Sequence, residues 1–200
     1  MFKFEYDLSL IRVFDNFFPE SVHSEVWYNV NPMKPCWAFT GGTIPSRIWH
    51  MDDLEKDSFF SDYLYKIICY RLKDKVKDIH NYSINRCYAN GQTAGQYGVP
   101  HPDDGDLTLL YYPNPTWKWE YQGNLVFLSE PMEKGCVKKE PTGEFNPEKI
   151  IAYKPNRAVL FPAKLFHCAE APGRKFNGLR VSLAYKLITP KSLDKPVEYL

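Results

Sequence analysis

The chain has 200 residues, enough for one domain with a sizeable core, and 25 Lys and Arg against 24 Asp and Glu give it a formal net charge of +1. That balance gives no electrostatic reason to expect nucleic acid or an anionic membrane as the main partner. Hydrophobic residues make up 44% and aromatics 16%, with 14 Tyr and 13 Phe, a composition that favours strands or an aromatic-lined pocket.

No apolar run approaches the roughly 18 residues that a membrane span needs. The opening stretch MFKFEYDLSLIRVFD carries charges throughout and lacks the apolar core and small-residue cleavage site of a signal peptide. The five cysteines (Cys36, Cys69, Cys87, Cys136 and Cys168) are odd in number and form no CxxC pair. Neither a disulfide framework nor a cysteine metal knuckle is expected. The expectation is a soluble, cytoplasmic protein with no membrane partner.

In chain order, LIRVFDNFF alternates as a strand does, and PESVHSEVWYNV predicts a short helix with Pro19 in its first turn. Residues 32–50 hold three prolines and the pair Gly41-Gly42, which predicts a loop or irregular hairpin. Over 58–79 the residues Phe60, Leu64, Ile67, Ile68, Leu72, Val76 and Ile79 recur at helical spacing, which predicts one amphipathic helix packing its apolar stripe. After residue 81 the texture changes. YSINRCYA, LTLLYY, GNLVFL, KIIAYK, RAVLFP and LRVSLAYKL are short apolar or alternating runs separated by Gly, Pro and Asn. They predict an antiparallel sandwich or barrel. The charge-mixed stretch 129–149 reads as a surface loop.

The stretch HPDDGD at 101–106 offers one imidazole and three carboxylates beside a strand-like run. On a strand, residues i and i+2 share a face, so His101 and Asp103 project together and Asp104 projects away. His167, in LFPAKLFHCAE, is the only histidine downstream and ends a strand-like run. Two imidazoles and one carboxylate form the ligand set of non-haem Fe(II) oxygenases. A second H-x-D, His50 and Asp52, is followed by a helix and lacks a correctly placed distal arginine. Arg180 stands in a strand thirteen residues past His167, with Ser182 on its face. Its fork suits a carboxylate ligand, or equally a structural Asp or Glu.

Residues 84 to 187 resemble the 2-oxoglutarate- and Fe(II)-dependent oxygenases of the prolyl 4-hydroxylase superfamily. CYANGQTAGQYGVPHPD looks like that family's tyrosine, Gly-rich loop, second tyrosine and H-x-D. LTLLYYPNPTWKWEYQGNLVFL resembles its tyrosine-bearing strand, Asn-x-x-Trp turn and hairpin, RAVLFPAKLFHCAE the strand with the distal histidine, and RVSLAYKL the final strand. Two departures stand out. Arginine replaces the lysine anchor of many relatives, and Gln122-Gly123-Asn124 stands where relatives often carry Gly-Gly-Glu.

The resemblance implies a mainly β fold with flanking helices and a double-stranded β-helix (jelly-roll, cupin-like) core. It would be one domain over 1–200, with helical support over about 1–80 and the β-helix over about 81–190. His101, Asp103 and His167 would hold Fe(II). Arg180, Tyr112, Tyr88 and Ser182 would bind the cosubstrate 2-oxoglutarate. Trp37, Trp117 and Tyr97 are candidates for substrate contacts or a lid, with 32–50 the favoured lid segment. No catalytic residue is expected beyond the iron ligands. O2 would be the oxidant, succinate and CO2 the coproducts, and ascorbate is admitted as an accessory reductant. The implied reaction is hydroxylation of a prolyl residue in a peptide or protein. Two alternatives are the same chemistry on a free amino acid, small metabolite or nucleobase, and a non-catalytic binding domain.

Overall fold

The computed structural model describes residues 7–40, 47–129 and 145–189. Cys136, the Gly41-Gly42 pair and most of the 129–149 loop lie outside them. Within the described residues, ten strands form two antiparallel sheets. The larger has the order β1 (Arg12–Phe14), β8 (Ala158–Pro162), β5 (Leu107–Tyr111), β10 (Arg180–Ile188), β4 (Ser83–Gln92), β3 (Ile48–Met51), β2 (Ala38–Thr40). The smaller has the order β7 (Pro147–Ile151), β6 (Leu125–Leu128), β9 (His167–Ala169). The mainly β architecture expected from the sequence is the one formed. Among the described residues, no helix is long and apolar enough to cross a membrane.

Strand β10 is the spine of the larger sheet, paired along its length with β4 and at its C-terminal half with β5. Its side chains alternate between two buried layers. Val181, Leu183, Tyr185 and Leu187 join the core formed with the helices. Arg180, Ser182, Ala184 and Lys186 point to the opposite side, towards the smaller sheet, and are equally buried. Strands β4 and β5 follow suit, with Cys87, Ala89, Leu107, Leu109 and Tyr111 in the helical-side core. Leu110 and Tyr112 pack with Leu125, Phe127, Tyr153 and Phe161 in a second apolar cluster between the sheets.

The helical layer differs from the sequence expectation in two places. Helix α1 spans Glu20–Val30 and buries Val22, Val26 and Val30 at four-residue spacing, but Pro19 caps it from outside rather than lying in its first turn. The predicted 58–79 helix is a π-helical turn, Phe59–Leu64, running into α2, Tyr65–Leu72, and it stops there. The backbone N–H groups of Lys75 and Val76 both donate to the Leu72 carbonyl, and Asp78 adopts a left-handed φ of 55° that no helix continues through. Val76 and Ile79 are nonetheless buried, so the apolar stripe reports the packed side correctly and the helix end wrongly.

The segment 32–50 contributes β2 and the start of β3, an edge hairpin in which Phe39 faces Trp49 with ring centroids 5.3 Å apart. The 129–149 stretch, read as loop throughout, yields its last residues to β7, where Leu128 pairs with Pro147.

Candidate active site

A cavity of about 480 Å³ opens between the sheets, bounded by the inward faces of β3, β4 and β10 and by His101 and His167. The two histidines come together through their backbones. His101 N–H donates to the His167 carbonyl and His167 N–H to the His101 carbonyl, both at 3.1 Å. The rings end 4.8 Å apart. His167 opens β9 rather than ending the preceding strand, because β8 stops at Pro162 and a turn intervenes.

Each imidazole is locked in one tautomer. Nδ1 of His101 meets the Val99 carbonyl at 2.7 Å, and Nδ1 of His167 meets the Leu165 carbonyl at 2.8 Å. A carbonyl only accepts, so both Nδ1 atoms carry the proton and both Nε2 atoms present a lone pair. Burial pushes the His167 pKa down to about 4, which keeps that ring neutral at physiological pH. Burial also works against a charged His101, but the Asp103 carboxylate outweighs it and raises that pKa.

Asp103 lies opposite the two rings, with Oδ1 at 3.5 Å from His101 Nε2 and Oδ2 at 3.4 Å from His167 Nε2. Its position does not come from a strand. Residues 102–106 form a turn, and Asp103 is placed by its own N–H, which donates to the Ala163 carbonyl at 2.7 Å. The i, i+2 reading therefore named the aspartate that lies beside the two histidines, but by a geometry the chain does not adopt. Thr108 Oγ1 donates to Asp103 Oδ2 at 2.6 Å, and the Lys186 ammonium pairs with the same oxygen. Burial would raise the Asp103 pKa; the surrounding positive charge and hydrogen bonds hold it far below the carboxylate range.

The other two aspartates do structural work. Asp104 accepts from Asn85 at 2.9 Å and lies 3.5 Å from Arg86 on the surface. Asp106 accepts from the backbone and hydroxyl of Thr189. Among the described residues, His101, Asp103 and His167 are the one group of such side chains placed to hold a metal ion, their ligand atoms lying within 4.8 Å of one another. The donor set fits a divalent transition ion. His50, on β3, and Asp52, just after it, line the same cavity but belong to no such group.

Arg180 is fully buried at the other end of the cavity's β10 wall. Its Nε donates to the Gly123 carbonyl at 2.7 Å and its Nη1 to Gln92 Oε1 at 2.9 Å. The ring of Tyr153 lies 4.8 Å from the guanidinium carbon and that of Tyr112 5.5 Å away. Gly123, at φ 77°, permits this close approach: a Cβ there would meet Arg180 Cδ at 3.0 Å. Among the described residues no carboxylate forms an ion pair with Arg180, although the charge of Glu170 acts on it from further away. Its Nη2 and the Tyr112 hydroxyl are buried without a hydrogen-bond partner, as is Oδ1 of Asn90. A buried cation with an empty donor beside an unsatisfied phenol is costly unless an anion fills the gap.

Tyr88 and Ser182 line the cavity between the two ends. The remaining candidates stand elsewhere. Trp37 packs on the helical-side core, with its indole N–H on the Asn31 carbonyl. Trp117 packs against Tyr153 and Phe176 with tilted rings. Tyr97 is half-exposed and not part of the cavity wall. Polar residues that escaped sequence reasoning include Lys186, Asn90 and Gln92 on the wall, and Thr108, which holds Asp103. Their signal was present in the alternation, since Lys186 shares the parity of Arg180, and Asn90 and Gln92 that of Tyr88.

No family model matches the sequence, and no curated protein matches it. Solved structures match well in fold. A prolyl hydroxylase from Trichoplax adhaerens, in complex with a hypoxia inducible factor oxygen degradation domain peptide, superposes with a TM-score of 0.58 at 15% identity, covering 94% of this chain and 88% of that one. The viral collagen prolyl hydroxylase of Paramecium bursaria Chlorella virus-1, as its 2-oxoglutarate complex, gives 0.59 at 15% identity over 93% and 99%. The epimerase SnoN, with Fe3+, alpha ketoglutarate and nogalamycin RO, gives 0.61 at 10% identity over 90% and 79%. The chain thus has the jelly-roll fold of the 2-oxoglutarate- and Fe(II)-dependent oxygenases of the prolyl hydroxylase type.

Proposed function

We propose that the protein is a 2-oxoglutarate- and Fe(II)-dependent dioxygenase that hydroxylates a prolyl residue of a peptide or protein. The observation that carries the oxygenase reading is that one cavity is lined both by the two histidines of a His–Asp–His cluster and by a buried arginine with an unfilled donor. His101, Asp103 and His167 would hold the iron. The distal carboxylate of 2-oxoglutarate would take the empty donor of Arg180 and the hydroxyl of Tyr112, with Tyr88 and Ser182 along its length. Bound iron supplies the activation of O2 that couples decarboxylation of 2-oxoglutarate to oxidation of the substrate. The polypeptide's share is to orient the cosubstrate by a charge-assisted contact from Arg180, with the Tyr112 hydroxyl beside it, and to keep water from the reacting centre.

The prolyl reading is supported by the order of the four sequence motifs and by the fold shared with the two prolyl hydroxylases. A second reading, a small polar molecule as substrate, draws on the cavity wall, where Asp52 and Arg86 place charge and His50 a polar ring rather than an apolar groove. SnoN, of the same fold, was solved with a small molecule bound. Succinate release from 2-oxoglutarate and Fe(II), measured with proline-containing peptides and with free amino acids, separates the readings. Stimulation by peptides alone supports prolyl hydroxylation. Stimulation by amino acids alone supports the second reading, and the absence of any succinate in either case refutes the oxygenase assignment.

A further inference from the structure

Lys186 is the buried charge that the proposed chemistry leaves unused. It sits near the C-terminal end of β10, on the cavity face, 2% exposed. Its register partners are Arg86 on β4 and Thr108 on β5. The ammonium pairs with Asp103 Oδ2, lies 3.4 Å from Thr108 Oγ1 and stands 5.4 Å from the Tyr88 ring centre. Among the described residues, Asp103 is the only carboxylate it pairs with. The carboxylate that a divalent ion would need is already neutralised by a cation of the chain itself.

We propose that Lys186 is an internal counter-cation for Asp103, a positioning residue that stabilises the metal-free site and weakens its hold on a divalent ion. This rests on the reading of His101, Asp103 and His167 as metal ligands. Two physical consequences lead to it. With Thr108 and Lys186 both on Oδ2, the oxygen with lone pairs to spare is Oδ1, which faces His101. A dication bound there would lie close to the ammonium in a site sheltered from water, where like charges repel strongly. Without the ammonium, Asp103 would be a buried carboxylate with less positive charge around it, and a bound dication would supply more of the balance.

The test uses the purified chain stripped of metal by a chelator. Co(II) binding is measured by calorimetry, and melting temperature with and without Co(II), in wild type, Lys186→Met, Lys186→Gln and Lys186→Arg. Lys186→Met and Lys186→Gln should bind Co(II) at least tenfold more tightly. Their metal-free forms should melt lower than wild type, and Co(II) should raise their melting temperature further. Lys186→Arg, which keeps the charge, should retain the weaker affinity. Should Lys186→Met fail to fold, Lys186→Gln carries the test, because its amide still offers Oδ2 a donor while removing only the charge. A lysine of merely structural value would lower both melting temperatures alike and leave Co(II) affinity unchanged or weaker, and that result overturns the proposal. Failure of Co(II) to bind wild type or any variant would overturn the metal reading and this inference with it.

Discussion

The two faces of strand β10 are built on opposite rules. On one side Val181, Leu183, Tyr185 and Leu187 meet the helices in a core whose polar groups are satisfied, down to the Tyr185 hydroxyl on the Phe60 carbonyl at 3.0 Å. On the other, one residue out of phase, Arg180 and Lys186 bury two positive charges, and Arg180 leaves a donor unfilled. The same backbone thus carries a fully satisfied apolar core on one face and an incompletely satisfied polar cavity wall on the other. Burial alone does not distinguish them; the completeness of hydrogen bonding does.

The sharpest way to break this comparison is at the cluster. His101→Ala, Asp103→Ala and His167→Ala should each abolish succinate formation and weaken Co(II) binding, while Asp104→Ala and Asp106→Ala stay active. An inactive Asp104→Ala beside an active Asp103→Ala would reassign the ligand. Next, Arg180→Ala should cost 2-oxoglutarate binding about 3–5 kcal/mol, the usual loss on breaking a buried charged pair. Equal 2-oxoglutarate affinities in a direct binding titration would remove the arginine from that role.

The apolar face should respond in the other currency. Leu183→Ala should lower unfolding free energy by about 2–5 kcal/mol in denaturant melts with the transfer and cavity terms combined. Ser182→Ala, its neighbour on the cavity face, should change stability by less than about 1 kcal/mol. A reversal of that order would mean the two faces are misassigned. Tyr112→Phe is a finer probe: its hydroxyl has no partner in the ligand-free protein, so stability should hold while 2-oxoglutarate binding weakens by about 1.5–3 kcal/mol. Tightened or unchanged binding would place the cosubstrate elsewhere.

The smallest effect should come from charge outside both faces. Asp15 meets Arg157 at 2.7 Å and Lys154 at 2.9 Å, and the hydrogen bond from Arg157 leads in pulling its pKa from 3.8 to about 2. A depressed carboxylate pKa stabilises the fold above pH 3.8, and the gain disappears as pH falls through about 2. Asp15→Asn should therefore cost about 1 kcal/mol at neutral pH, discounted because the side chain is 39% exposed. Its deficit against wild type should close between pH 4 and pH 2 in acid melts, and a deficit constant over that window would mean the ion pair contributes nothing.

Much of this was legible in the linear chain. The alternation of LRVSLAYKL announces a strand buried on both sides, and the parity that puts Arg180 with Ser182 also puts Lys186 with them. The order of H-x-D, distal histidine and arginine points to the cluster and to the buried arginine. Periodicity, however, reports which side of an element is buried and not what it meets there. The end of α2 at Leu72 depends on backbone hydrogen bonds closing on one carbonyl, which an apolar stripe running on to Ile79 does not reveal. The choice of Asp103 over its two neighbours was decided by a backbone bond to Ala163, sixty residues away in the chain, and not by a strand's pleat. The reciprocal bridge of His101 with His167, the empty donor of Arg180 and the grip of Lys186 on Asp103 all arise from strand register and turn geometry. Those are long-range pairings, and only the folded backbone specifies them.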